Sequence, residues 1–329
     1  YSHNERDGFQ RNTPNSGEEY IFNLGHKFND RLETRLVIRH RGEELRNGST
    51  LTLAQLEADP RNSTSTASAR RKKGTTLVTS KTTLTLDDKS KFELGFAYND
   101  YPLDNGWIYS DQPGIWRSKD FSTSLRYLRT GDTLFGKPSD TTVSFSDTRL
   151  LDGDVTGYNQ VNGVYTSERQ YTKYSGSRDT VLSVSNALHL SDLFTLSSGL
   201  SLVEIGRNVR IERTTLPASP LPFPREVEYT DRSLAPRLGF LYQAAPDLQL
   251  FGNVSRSIDP PVTWQMASTG VSYVRPLKPQ KANTAEIGLR GSSENHDGSV
   301  TFYRSYVSDE LLSSIASPAV GTTPALIAN

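Results

Sequence analysis

The side chains of this sequence best equipped to hold a ligand are aromatic rings and arginines gathered in its most polar stretches. Trp107, Tyr109, Trp116 and Arg117 lie close together, Arg169 and Tyr171 form a second group, and Trp264 with Gln265 a third. Ring faces stack on flat or apolar ligands, and guanidinium forks pair with anions. These residues, with Arg178, are therefore candidates to line a vestibule for an anionic or aromatic ligand. The competing role for the aromatics, which include Tyr98, Tyr101, Tyr158, Tyr165, Tyr174 and Tyr273, is an interfacial belt or loop packing.

Other chemistry finds no support. Gly131 to Lys137, reading GDTLFGK, copies the spacing of a phosphate-binding loop. The next residue, however, is Pro138 in place of the Ser or Thr that would hold magnesium, and no helical pattern follows. The segment reads as a turn. Asp152-Gly153-Asp154 begins like a calcium loop but lacks its later ligands. His3, His26, His40, His189 and His296 show no metal-ligand spacing, and no Gly-x-Ser-x-Gly elbow occurs. No catalytic residues, metal site or cofactor are expected.

Composition narrows the class further. The 329 residues carry 37 basic and 37 acidic side chains, so the basic excess of a general nucleic-acid binder is missing. Without cysteine, disulfides and thiolate sites are excluded. At 34% the apolar content is low, which argues against a large soluble core. No apolar run approaches the roughly 18 residues of a membrane-spanning helix. The chain opens at Tyr1 and its single methionine is Met266, so it reads as a piece of a longer polypeptide.

What must position the aromatic clusters is a set of alternating segments. In Lys91 to Tyr98 the even positions Phe92, Leu94, Phe96 and Tyr98 are large and apolar, while the odd ones are small or charged. Leu32, Thr34, Leu36 and Ile38 alternate in the same way with Arg31, Glu33, Arg35 and Arg39. A period of two puts each class on its own face of a strand. Similar segments near 19–27, 74–86, 118–129, 140–150, 182–190, 193–206, 232–243, 248–257, 281–291 and 298–308 bring the total to about twelve strands of roughly ten residues, enough to cross a bilayer at a tilt.

The connections alternate in size. Brief turns fall at 28–30, 87–89, 191–192, 244–247 and 292–297, with a somewhat longer one at 130–139. Long polar stretches lie between them, at 41–73, 100–117, 151–177, 207–231 and 258–280. In an antiparallel meander successive connections lie at opposite ends, so one rim carries turns and the other large loops. That asymmetry belongs to outer-membrane barrels. A soluble sandwich would bury its apolar face against a second sheet and need not alternate its turns. The fold expected is an all-β, transmembrane, antiparallel up-and-down β-barrel, with Phe92, Leu94 and Phe96 facing lipid.

Within the first long stretch, Thr52 and Gln55 make a capping box and Leu51 and Leu56 a hydrophobic staple, which predicts a short helix over 53–58 before Pro60. Arg70-Arg71-Lys72-Lys73 closes that stretch and is placed to meet lipid phosphates or solvent.

Several segments resemble the barrel of TonB-dependent outer-membrane receptors. LKPQKANTAEIGLRG at 277–291 looks like that family's Pro-led strand entry with Glu-x-Gly-x-Arg-Gly, and SVTFYRSYVSDELL follows at 299–312. APRLGFLYQAAPDLQLFGNVSRSIDPP at 235–261 resembles the family hairpin ending in Ser-Arg-x-x-x-Pro-Pro, and TLTLAQLEADPR at 50–61 a loop element of the iron-chelate branch. Together these cover about a quarter of the chain. The resemblance implies a barrel of about 22 strands around a plug. It also implies a ferric siderophore or similar iron chelate as ligand, work supplied through the TonB complex, and contact with outer-membrane lipid and lipopolysaccharide. Residues 1–329 would then be a partial barrel of about 12 strands, with no plug or TonB-contacting segment before Tyr1. No nucleic-acid partner is expected. A passive porin-like channel is the alternative, and upstream sequence would separate the two.

Overall fold

Leu94, Leu125, Phe145, Leu182, Leu202 and Leu234 stand opposite one another on successive strands, forming one apolar row across the sheet. One residue along, Glu93, Arg126, Ser144, Ser183 and Ser201 form a polar row in the same register. Side chains one residue apart point to opposite faces of a strand, so these rows define an apolar face and a polar face. The computed structural model describes all residues except 47, 64–69, 107–112, 162–163, 219–221, 294, 315–325 and 329.

In chain order the elements are β1 (Ser2–Arg6), β2 (Asn15–Lys27), β3 (Leu32–Arg46), α1 (Leu53–Ala58), β4 (Arg70–Asp87), β5 (Ser90–Asn105), β6 (Gly114–Leu134), β7 (Lys137–Val161) and β8 (Val164–Lys173). There follow β9 (Arg178–Ser191), β10 (Phe194–Thr214), β11 (Glu226–Ala245), β12 (Leu248–Asp259), α2 (Thr263–Met266), β13 (Gln280–Ser292), β14 (Asp297–Ser308), β15 (Leu312–Ser314) and β16 (Leu326–Ala328). Strands β1 to β14 form a single sheet in which sequence neighbours pair antiparallel, β8 and β9 excepted, and β15 pairs β16 separately. Strands β8 and β9 share one position in the wall. The outer half of β7 pairs β8 and its inner half pairs β9, and both return strands then pair β10. The break between them contains Gly176 at φ 84°, a left-handed conformation open to glycine at little cost.

The alternating segments of the sequence fall on strands, to within one residue at Arg31 and Leu193, but the strands run on past them at the long-connection rim. β7 continues to Val161 and β10 to Thr214, where the sequence reads as loop. At the opposite rim the 130–139 connection tightens to Phe135-Gly136, both at positive φ, because Leu134 pairs Lys137. Those are the dihedral signs of a type I′ hairpin. The GDTLFGK segment is thus strand and turn. Helix α1 occupies 53–58 with its capping box formed, and Arg11 binds the Asp59 carboxylate at its C-terminal end (2.6 Å).

The apolar face is exposed: Leu182 is 50% accessible, Val254 53% and Phe302 71%. No second sheet covers it among the described residues, so the exposure is that of a surface made for hydrocarbon. The polar face carries charge clusters, with Lys81 (2.9 Å), Lys91 (3.5 Å) and Arg126 (3.7 Å) around Glu93. On the apolar face the row next toward the long-connection rim is Asp147, Thr180, Glu204 and Arg232. Asp147 accepts from Arg149 (2.7 Å), Arg178 (2.5 Å) and Thr180 (2.6 Å), and Glu204 from Arg232 (2.7 Å). Charge at that height marks where hydrocarbon gives way to headgroups.

Candidate ligand-binding site at the long-connection rim

Beyond the charged row the wall gains what the membrane segment lacks, a buried apolar cluster. Val155 of β7, Val209 and Ile211 of β10 and Val227 of β11 pack with Met266, Val274 and Leu277 from the β12–β13 connection. Burial of each such side chain is worth about 1.5–3 kcal/mol, so the 260–279 connection folds down over the mouth of the wall.

Hydrogen bonds fix that connection in place. Arg207, 5% exposed, donates Nε–H to the Pro261 carbonyl (2.9 Å) and holds Asp179 with both terminal nitrogens (2.7 and 3.2 Å). Gln170 on β8 donates to the Ser268 carbonyl (3.0 Å), Ser272 to Pro217 (2.5 Å), and the Val274 amide to Pro224 (2.7 Å). Arg275 donates to the Gln265 carbonyl (3.1 Å).

Between the folded connection and the strands lies a cavity of about 570 Å³. Tyr101 and Leu103 of β5, Trp116 and Asp120 of β6, Leu150 of β7, Tyr174, and Trp264 of α2 lie on its walls. Parity places Trp116 and Asp120 on the polar face with Arg126, which is the face a barrel turns to its lumen. Close by, Asp154 stands opposite Arg117 on one side and Lys173 on the other. Burial raises its carboxyl above the usual range against the pull of both cations. Tyr174 donates to the Asp154 carbonyl (2.8 Å), and burial raises its phenol. Tyr229, beside the buried cluster, is pushed up to about 12 by burial.

The residues singled out in the sequence divide. Trp116, Arg117 and Trp264 meet at the cavity, Trp264 being 59% exposed. Arg169 and Tyr171 stand apart from it on β8, where the Arg213 guanidinium lies over the Tyr171 ring at 4.4 Å and is held by Glu168 (2.9 Å). Gln265 accepts the Val262 amide (2.8 Å) on its side-chain oxygen, which makes it a cap for α2. Arg178 sends its guanidinium to Asp147, and only its carbonyl meets Arg207. Trp107, Tyr109 and the side chains of 70–73 lie outside the described residues. Arg207 and Asp179 escape the sequence reading, although the period of two continues through Ile205, Arg207, Val209 and Ile211 and would have placed Arg207 on the inner face.

An exposed apolar face, a charged polar face and loops massed at one rim define a membrane β-barrel wall. The chain belongs to the TonB dependent receptor-like, beta-barrel family, whose model matches residues 4–328. Barrels of this family reside in the Gram-negative outer membrane and are transporters rather than enzymes. Among solved structures, the ferric citrate transporter FecA in its unliganded form superposes with a TM-score of 0.72 at 13% identity, covering 89% of this chain and 43% of that one. The ferric-catecholate import receptor Fiu from E. coli K12, closed form, gives 0.69 at 12% identity, with 95% and 54% covered. The ferric yersiniabactin uptake receptor FyuA from Yersinia pestis gives 0.68 at 12%, with 94% and 49% covered. At such identities the likeness is one of fold, and the chain spans about half the length of these structures. Among curated proteins, none matches.

Proposed function

We propose that residues 1–329 are part of the wall of an active-transport receptor that takes up a ferric siderophore or similar iron chelate. Long connections at one rim capture the chelate, and energy delivered by the TonB complex releases it into the lumen. The observation that carries this reading is the 260–279 connection, docked through Arg207 and the Met266 cluster so that a cavity walled by aromatic rings forms at the mouth. Concave, largely apolar cavities with a few polar groups are what small-ligand sites require. The solved structures of similar fold are named for ferric citrate, ferric catecholate and ferric yersiniabactin.

In this reading Trp116, Arg117 and Trp264 touch the chelate, with Trp107 and Tyr109 on the neighbouring connection. Arg169, Tyr171 and Gln265 support the rim. Outer-leaflet lipid and lipopolysaccharide meet the charged row through Arg149 and Arg232. The test is uptake of radiolabelled ferric chelates by cells carrying the full-length gene, with and without TonB. Accumulation against a gradient that vanishes without TonB supports the proposal, whereas uptake indifferent to TonB identifies a diffusion channel.

A further inference from the structure

The lipid face treats its arginines in two ways. On the charged row Arg149, Arg178 and Arg232 each meet a carboxylate. Across β12 to β14 two further arginines, Arg256 and Arg304, share the parity of the lipid-facing Val254 and Phe302. Neither makes an ion pair or a hydrogen bond among the described residues, and the Nε of Arg256 is buried without a partner. On these three strands no Asp or Glu shares their parity. Lys281, the third cation that does, is already taken by Asp231 (3.2 Å). Both arginines stand in the half of their strand nearer the long connections, two to three residues closer to the short turns than Asp147 and Glu204 stand on theirs.

Next to them the lipid face is hollowed. Gly252 and Ala285, diagonal neighbours on β12 and β13, leave a space of about 510 Å³ among Leu238, Phe240, Ile287 and Phe302, and Arg304 lies on its edge. Phe240 leans across Gly252, where an added Cβ would come within 2.7 Å of the ring.

An unmatched guanidinium on this face is a cost wherever hydrocarbon reaches it. The long arginine stem can carry the charge toward the headgroups, where a phosphate accepts its paired N–H donors. A phosphorylated lipid supplies that anion and, in the same molecule, a chain to fill the hollow with packed contacts. We propose that Arg256 and Arg304 bind the phosphate of an outer-leaflet lipid whose acyl chain lies in the hollow over Gly252 and Ala285. The site faces the bilayer, away from the mouth, and does not depend on which chelate the mouth takes.

Native mass spectrometry of the purified full-length receptor in detergent, titrated with diphosphorylated lipid A, counts the bound molecules. The first is expected to bind at least about tenfold more tightly than those that follow. Combining Arg256→Gln with Arg304→Gln, or stripping the lipid A of its phosphates, should abolish that difference. Ala285→Phe, which fills the hollow and leaves the arginines in place, should weaken the first molecule severalfold. The Gln substitutions only remove charge from the lipid face, so the lipid-free double variant should melt no lower than its parent. A first molecule held equally well by the double variant, or phosphate-free lipid A held as tightly, overturns the proposal. So does a dimer that the same substitutions dissociate, which would make a second copy the occupant. Iron uptake is not the readout, so the receptor reading stands or falls separately.

Discussion

Arg207 and Pro261, 54 residues apart, are joined by a hydrogen bond of 2.9 Å from the arginine Nε to the proline carbonyl. The same guanidinium forks onto Asp179, so one side chain ties the wall to the connection that roofs the cavity. A hydrogen bond to a charged group contributes about 1.5–3 kcal/mol, and solvent at the half-exposed Asp179 favours the lower half of that range. Arg207→Met in the full-length receptor should therefore release the 260–279 connection at a cost of about 2 kcal/mol, leaving the membrane strands intact. Hydrogen exchange is the check: faster exchange at Val274 and Arg275 with unchanged protection in β6 and β7 is expected.

The lipid face makes a second prediction. Leu94 lies in the row with Leu125 and Phe145, so Leu94→Arg should destabilise the barrel by about 2–4 kcal/mol if this row lies near the bilayer midplane. Ser144→Arg, on the polar row, should cost less than about 1 kcal/mol. Urea unfolding in lipid vesicles measures both.

The strands were legible because the bilayer forces a period of two on every residue that crosses it, as Lys91 to Tyr98 and Leu182 to Leu190 show. Above the charged row that constraint ends. Val164 to Lys173 mixes Tyr, Thr, Glu, Arg and Gln on both faces, so β8 reads as loop although it pairs β7 and β10. The cluster of Met266, Val274 and Leu277 was hidden for a related reason. Its members come from a connection without regular spacing and share the cluster with residues some 40 to 120 positions earlier in the chain. Helix α1 was legible because its capping box is local in sequence. Trp116 and Trp264 were found by residue type alone. The same criterion also selected Gln265, whose role as a cap depends on the backbone around it.

The cavity aromatics yield a third prediction. Trp264 is exposed enough that Trp264→Ala should fold normally, and loss of a ring wall should weaken chelate binding by about 1–2 kcal/mol, roughly tenfold. Gln265→Ala should act through α2 instead, with a smaller loss of affinity and increased exchange at the Val262 amide. Equal losses of affinity for the two variants would contradict this division.

Asp154 supplies a dependence on pH. Its carboxyl titrates above the ordinary 3.8 because burial outweighs Arg117 and Lys173. Above that ordinary value, until the raised folded group also ionises, the folded protein holds the proton more tightly than the unfolded chain does. Stability of the rim therefore falls as pH rises through that window, and the deficit persists at neutral pH. Asp154→Asn should raise the melting temperature at pH 7 and flatten its decline as pH rises above the ordinary carboxylate range. A lower melting temperature at pH 7 would show that the carboxylate is net stabilising.

The most direct measurement asks which face meets lipid. The chain has no cysteine, so single cysteines at 94, 125, 145 and 182, and at 93, 126, 144 and 183, can carry spin labels in the full-length receptor reconstituted into bilayers. Labels on the first row should be relaxed by oxygen dissolved in the hydrocarbon, and labels on the second by a water-soluble nickel chelate. The reverse pattern, or aqueous access to both rows, would contradict a membrane wall with a wet lumen.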